Sequence, residues 1–188
     1  MLSDDKMSEA EVTLSLAFYL ISGEHVASDV TVAIDGAQVR TRNTVHFQIA
    51  EFLEHNGWTK LGDGRVWQGP YAHREWEPKI IIHSSSGQGD VVTQLRSGHN
   101  LRVECKKGSL VRSKSAQEYR LLQEAIGQVV TIERLAKNDV LAVAVPRSDK
   151  FRNLVRRWRD APLIRKCDIR LLTVDRQNQV EGLDLERI

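Results

Sequence analysis

The chain has 188 residues, of which 41% are hydrophobic and 28% are charged, as is typical of a soluble globular protein. Its apolar runs are too short to cross a bilayer and it has only two cysteines. We therefore expect a cytoplasmic protein with no membrane partner, no zinc site and no disulfide framework. The net charge is +2, yet residues 1–35 carry −6 and residues 36–188 carry +8, an asymmetry compatible with a polyanionic partner.

The N-terminal residues 1–43 predict an extension that contains a β-hairpin. Residues 13–21 are apolar and fit either a short helix or a strand. Residues 30–34 and 37–41 predict two strands separated by Asp35 and Gly36, a pair that supplies the positive φ angles of a tight hairpin turn. We expect this hairpin to be added to a second domain that spans residues 44–188.

The second domain begins with a predicted helix over residues 44–56, where apolar side chains recur at helical spacing. Residues 58–77 are rich in turn-forming residues and predict one or two short strands, one of them near residues 65–68. The β-branched run at residues 79–83 predicts a further strand, and a Ser- and Gly-rich turn leads from it to Asp90.

Two strands joined by a turn follow, over residues 89–95 and 101–107. Residues i and i+2 of a strand point to the same face, so Glu104 and Lys106 are expected to lie side by side. If the two strands pair across the turn, Asp90 reaches the same end of the sheet. Two carboxylates and one amine at one point suit a hard divalent cation and a phosphate ester.

The remaining chain alternates helices and strands. Residues 113–135 contain a long amphipathic helix, and residues 140–145 predict a strand that is buried on both faces. Ser148 or Asp149 caps a further helix, and residues 169–174 predict the last strand. Three strands in a row followed by this alternation predict an α/β protein with a mixed sheet flanked by helices, in the order αβββαβαβ.

Gly89-Asp90, Glu104-Cys105-Lys106 and this element order resemble the PD-(D/E)XK nuclease superfamily, which has the restriction-endonuclease-like fold. The resemblance extends over residues 44–175, and Gly89 stands where the name of the motif has proline. It implies a Mg²⁺-dependent DNA endonuclease, with Mn²⁺ as an alternative cofactor, that acts in restriction, phage defence or repair. It also allows a homodimer.

The resemblance implies roles for individual residues. Asp90, Glu104 and the backbone carbonyl of Cys105 would hold the metal ion, and Lys106 would act on the attacking water and the scissile phosphate. Gln128 matches a glutamine that many members bring to the site from the helix after the motif. Glu51, with Glu54 as the alternative, is the candidate for a metal-binding acid on the first helix.

Contacts to the DNA backbone are expected from basic residues around the motif and the following helix, namely Lys107, Arg112, Lys114 and Arg120. The arginines of the last helix are more simply interpreted as a solvated face.

Two other functions stay open, because short motifs are loose. The pattern acid-x-Lys also occurs at Asp4-Asp5-Lys6 and at Glu77-Pro78-Lys79, although only the Glu104 copy lies in a predicted strand. The chain is alternatively a non-catalytic nucleic-acid-binding or assembly module on the same fold, or an unrelated α/β scaffold with a chance motif. RNA as the substrate is also compatible with the sequence.

Overall fold

The computed structural model describes residues 5–62, 66–85, 87–111 and 116–185. The helices in these ranges are α1 (Glu9–Ser22), α2 (Gly36–Val39), α3 (Ile49–His55), α4 (Gln117–Val130), α5 (Asp149–Arg159) and α6 (Pro162–Lys166). The strands are β1 (Lys6–Met7), β2 (Val30–Ala33), β3 (Arg40–Thr41), β4 (Thr44–Val45), β5 (Trp58–Lys60), β6 (Gly69–His73), β7 (Ile80–His83), β8 (Val91–Gln94), β9 (Asn100–Cys105), β10 (Gly108–Ser109), β11 (Asp139–Pro146), β12 (Arg170–Val174) and β13 (Val180–Glu181).

Nine of these strands form one mixed sheet in the order β13-β12-β11-β9-β8-β2-β7-β6-β5. The strands β2, β8 and β9 pair antiparallel, whereas β9, β11 and β12 pair parallel. Parallel neighbours need a crossover connection, and α4 supplies it between β9 and β11 while α5 and α6 supply it between β11 and β12. The prediction of a mixed sheet flanked by helices is confirmed.

The helices cover both faces of the sheet, so the molecule has three layers. Alternate residues of β11 show this directly, because Ala142 and Ala144 pack in the core that contains α1, whereas Val143 and Val145 pack in the core that contains α4 and α5. A strand enclosed on both faces needs a continuous apolar run, as residues 140–145 predicted. Within the described ranges, no helix combines the length and the apolar character needed to cross a membrane.

The predicted hairpin over residues 30–41 is wrong. Val30–Ala33 instead form β2, which lies inside the sheet between β7 and β8. The Asp35 side chain accepts a hydrogen bond from the backbone N–H of Ala37 at 2.9 Å and caps α2, which begins at Gly36. Aspartate before a glycine therefore starts a helix here instead of closing a hairpin. A smaller hairpin does follow, formed by β3 and β4.

The other predicted elements are present with shifted ends. The helix expected over residues 44–56 begins only at Ile49, because Thr44 and Val45 pair with β3. Residues 58–77 hold two strands, β5 and β6, in agreement with the predicted one or two. The described residues 66–68 belong to neither strand, and residue 65 lies outside the described residues. The ambiguous residues 13–21 are helical and belong to α1, of which 11 residues are buried.

A buried ion pair ties the first helix to the turn between β12 and β13. Arg176 Nε donates to Glu11 Oε1 at 2.7 Å, and Glu11 is only 1% exposed. Glu11 also accepts from the backbone N–H of Ser8, whose hydroxyl caps α1 in return.

Replacing Arg176 with Ala is expected to lower the free energy of unfolding by about 3–5 kcal/mol, because the buried Glu11 carboxylate loses its partner. Urea denaturation measures this value. Arg74→Ala is the control, since the Arg74–Glu75 pair is exposed and an exposed pair contributes about 1 kcal/mol or less. Equal losses of unfolding free energy in the Arg176 and Arg74 variants would contradict the role of burial in the Arg176–Glu11 pair.

Candidate functional site

The candidate site lies where β8 begins and β9 ends. The register pairs Val91 with Val103, which places Asp90 beside Glu104 at the edge of the paired region. Asp90 Oδ2 accepts a hydrogen bond from the backbone N–H of Cys105 at 2.7 Å, and the Asp90 backbone N–H donates to the carbonyl of Val103 at 2.8 Å. The sequence prediction that Asp90 reaches the end of the Glu104 strand is confirmed.

Gly89 permits this close approach of the two chain segments. Its φ angle is +109°, and a Cβ atom at this position would lie 3.1 Å from the carbonyl oxygen of Val103. Proline has a fixed φ near −65° and cannot adopt this conformation. The local backbone of this chain therefore requires glycine, and not proline, at position 89.

Replacing Gly89 with Ala is expected to destabilise the fold by about 1–3 kcal/mol through strained φ and the contact with Val103. Gly98→Ala is the matched control, because Gly98 has a φ of +86° but open space around its Cβ position. Thermal unfolding of both variants separates the cost of the strained φ angle from the cost of the contact with Val103. Equal losses would show that the backbone of Val103 imposes no extra constraint at Gly89.

Lys106 is a buried cation surrounded by three carboxylates. Its Nζ atom donates to Glu104 Oε1 at 2.8 Å and lies 4.0 Å from both Glu9 Oε2 and Glu124 Oε1. Its side chain is only 5% exposed. Burial opposes the charged ammonium, but the hydrogen bond to Glu104 and the nearby carboxylates outweigh it and raise the pKa of Lys106. Lys106 is therefore a fixed positive charge at neutral pH.

Glu9 is the acid that sequence reasoning missed. It is the first residue of α1, and its Oε1 atom accepts a hydrogen bond from Gln38 Nε2 at 2.7 Å. Burial raises the pKa of Glu9, although Lys106 and Gln38 oppose the shift. The sequence pattern predicts no element before residue 13. The capping-box pattern of Ser8 and Glu11 is the sequence signal that marks a helix start there.

Asp90 has a strongly perturbed acidity. Burial raises its pKa to about 7, and the neighbouring carboxylates of Glu104 and Glu9 add to the shift, while the Cys105 N–H and Lys106 oppose it. Four carboxyl groups, those of Asp90, Glu104, Glu9 and Glu124, thus surround the single ammonium group of Lys106. The site holds a surplus of negative charge, which a bound cation would neutralise.

A cleft of about 720 Å³ opens beside this cluster, between β9, the C-terminal end of α4 and residues 87–89. Glu104 and Gln128 both line it, so the structure brings the predicted glutamine to the same cleft as the predicted metal ligand. Arg134 and Gln88 also line the cleft. A substrate in the cleft would therefore meet one carboxylate of the cluster and several polar donors.

The structure does not bring Glu51 to the site. Glu51 is exposed on α3, which packs on β5 at one edge of the sheet, away from β8 and β9. The carboxylate that approaches Lys106 from a helix is instead Glu9 of α1. Glu54 is also exposed on α3. The physical reason is that the helix packed against β8 and β9 is α1, not the helix predicted over residues 44–56.

The expected DNA-contacting residues are only partly described. Lys107 is exposed beside Lys106, and Arg120 is exposed in the first turns of α4. Arg112 and Lys114 lie outside the described residues. The charged groups of Lys107 and Arg120 are therefore accessible to a ligand.

Comparison with known proteins gives no relative, since no family model, curated protein or solved structure matches the chain. Among the residues that the structure describes, no three His, Cys, Asp or Glu side chains form a ready-made metal-binding cluster. Function at this site therefore follows from its chemistry alone.

Proposed function

We propose that this protein is a metal-dependent endonuclease that hydrolyses phosphodiester bonds in DNA at the Asp90, Glu104 and Lys106 site. The observation that carries the proposal is the meeting of Asp90 and Glu104 at one end of two paired strands, with the buried Lys106 ammonium bonded to Glu104. A paired acid and base on an ordinary strand face would be solvent-exposed, whereas this Lys106 is 4% exposed.

The order of elements around the site supports a restriction-endonuclease-like core, which we include in the proposal. The helix α1 is followed in the sheet by the antiparallel strands β2, β8 and β9, then by α4, the parallel strand β11, α5 and β12. This is the order αβββαβαβ, with residues 34–90 inserted between the first two strands. The helix at the start of the core is α1 rather than α3.

The donor set fits a hard divalent cation such as Mg²⁺, with Mn²⁺ as an alternative. Asp90, Glu104 and the Cys105 carbonyl would hold the ion, and Glu9 adds a third carboxylate close by. Burial and the neighbouring carboxylates raise the pKa of Asp90, and such an ion would relieve the repulsion between these carboxylates. When bound, the ion would polarise the scissile phosphate and acidify a bound water.

The side chains of the chain itself would orient the reacting groups. Lys106 would donate a hydrogen bond to a phosphate oxygen, where negative charge develops during hydrolysis. Its present contact with Glu104 keeps the ammonium at this position in the absence of substrate. Gln128 would donate its amide N–H groups to the phosphate or the water from the opposite wall of the cleft.

Incubation with supercoiled plasmid tests the proposal. We expect nicked and linear DNA in the presence of Mg²⁺ or Mn²⁺ and none with EDTA, with 5′-phosphate and 3′-hydroxyl ends on the products. Equal cleavage with EDTA would contradict a metal-dependent reaction. Salt-sensitive DNA binding with no cleavage under either metal would favour the non-catalytic binding module instead.

A further inference from the structure

A strongly basic surface lies on α5, α6 and the start of β12, away from the cleft. Residues 152–170 contain seven Lys and Arg against two Asp, a net charge of +5, so that the other 169 residues together carry −3. The net positive charge of this chain therefore comes from residues 152–170. We define the α5–α6 surface by its basic residues, Arg152, Arg156, Arg157, Arg159, Arg165, Lys166 and Arg170.

The α5–α6 surface is separate from the Asp90 site. The helix α4 packs on β9 and β11 and borders the cleft, whereas α5 packs beside it on β12, towards the β13 edge of the sheet. The apolar side of α5 is buried through Phe151 and Val155, so its basic residues point outwards.

Four cations of this surface have no ion-pair partner within the described residues. They are exposed, and they comprise Arg156, Arg157, Arg165 and Lys166. Two exposed arginines elsewhere do have a carboxylate nearby, in the Arg96–Glu24 and Arg74–Glu75 pairs. Repulsion between four unpaired like charges disfavours the free protein slightly, and a polyanion would relieve it.

A groove of about 560 Å³ continues the α5–α6 surface and is built around Arg159. The Arg159 guanidinium donates to the backbone carbonyls of Leu171 at 2.7 Å and Glu181 at 3.3 Å, and no carboxylate oxygen of the described residues lies within ion-pair distance of it. A Cβ atom at Gly182 would overlap this guanidinium, so the glycine makes room for it. Arg165 and Arg170 also line the groove, together with Asp160 and Asp168, and Asp168 pairs with Arg170.

We propose that the α5–α6 surface binds the phosphate backbone of double-stranded DNA as an anchoring surface distinct from the cleft. Six of its seven cations are arginines, whose planar guanidinium groups match phosphate oxygens better than an ammonium does. The 11 residues of α5 extend over about 16 Å. Duplex DNA presents a phosphate charge every ~1.7 Å of its axis, so several fall within reach. The proposal rests on the proposed function only for the choice of DNA as the polyanion.

Binding without cleavage tests the α5–α6 surface independently of the nuclease proposal. Affinity for a fluorescent 20-base-pair duplex is measured in EDTA at several salt concentrations. Replacing Arg156 and Arg157 together with Gln is expected to weaken binding about 10-fold at 0.1 M salt and to reduce the slope of log affinity against log salt by about 2. The control replaces Arg74 and Arg96 with Gln, which removes the same charge and is expected to leave the slope unchanged.

The exposed Cys167 on the same surface supplies a second measurement, because the other cysteine, Cys105, is buried. Saturating duplex is expected to slow the reaction of Cys167 with a maleimide several-fold in the wild-type protein, but not in the Arg156 and Arg157 double variant.

An unchanged salt slope in that variant, an equal loss of affinity in the control, or no DNA binding by wild type would overturn the proposal. So would tighter binding to phosphatidylserine vesicles than to DNA. Loss of plasmid cleavage with these binding results intact would count against the nuclease alone.

Discussion

Replacing Lys106 with Met is expected to lower the rate of plasmid cleavage by at least ~100-fold while leaving DNA affinity within about twofold. Methionine keeps the length and apolar stem of the side chain but removes the ammonium that would stabilise charge on the phosphate. Lys106 is buried and paired with Glu104, so it contributes little to the electrostatic attraction of DNA at the surface. Single-turnover cleavage with Mg²⁺ and binding in EDTA measure the two quantities separately.

Lys137→Met is the control for this variant, because Lys137 is an exposed lysine outside the site. It is expected to cleave at the wild-type rate. The Lys106 variant should also unfold more easily at pH 8 than at pH 5, because burial already raises the pKa of Glu9 and this carboxylate loses its counter-charge in the variant. Cleavage by Lys106→Met at the wild-type rate would contradict its role.

Replacing Asp90 with Asn is expected to abolish cleavage and, at the same time, to stabilise the metal-free protein above pH 7. The folded-state pKa of Asp90 is raised from 3.8 to about 7, so between these values the folded protein holds a proton that the unfolded chain has lost. The contribution of Asp90 to the free energy of unfolding therefore falls as the pH rises from about 4 to 7, and it remains low above pH 7. Asparagine carries no charge and escapes this penalty, which for a pKa raised from 3.8 to about 7 is on the order of 4 kcal/mol.

Thermal unfolding from pH 4 to pH 8 measures this difference with and without Mg²⁺. Without Mg²⁺, the melting temperature of Asp90→Asn should exceed that of wild type at pH 8 and approach it at pH 4. Mg²⁺ should raise the melting temperature of wild type at pH 8, when Asp90 is ionised, and leave the variant unchanged. A variant that is less stable than wild type at pH 8 without Mg²⁺ would show that the Asp90 carboxylate is not electrostatically strained.

The strands of the core were predictable because each carries its own local signal. The apolar run at residues 140–145 indicates burial on both faces, and the alternation in residues 101–105 indicates which side chains share a face. The convergence of Asp90 with Glu104 followed from the short turn between β8 and β9, which leaves antiparallel pairing as the simplest connection.

The parts that the sequence did not reveal depend on long-range packing. Val30–Ala33 pair with residues some 50 and 60 positions away in β7 and β8, and no local pattern specifies such partners. The nearby Asp35 and Gly36 favoured a hairpin, although aspartate is equally suited to cap a helix. A hairpin over residues 30–41 belongs to an added extension, so this prediction also removes Glu9 from the site and leaves Glu51 on the next predicted helix as the candidate acid.

The measurement that tests the site most directly is plasmid cleavage with Mg²⁺ by wild type, Asp90→Asn and Glu51→Gln in parallel. All three proteins are purified identically, and the two variants each remove one carboxylate charge, Asp90 at the strand end and Glu51 on the exposed face of α3. We expect wild type and Glu51→Gln to nick the plasmid at the same rate and Asp90→Asn to leave it supercoiled. Equal cleavage by Asp90→Asn and wild type would contradict the assignment of the Asp90, Glu104 and Lys106 cluster as the catalytic site.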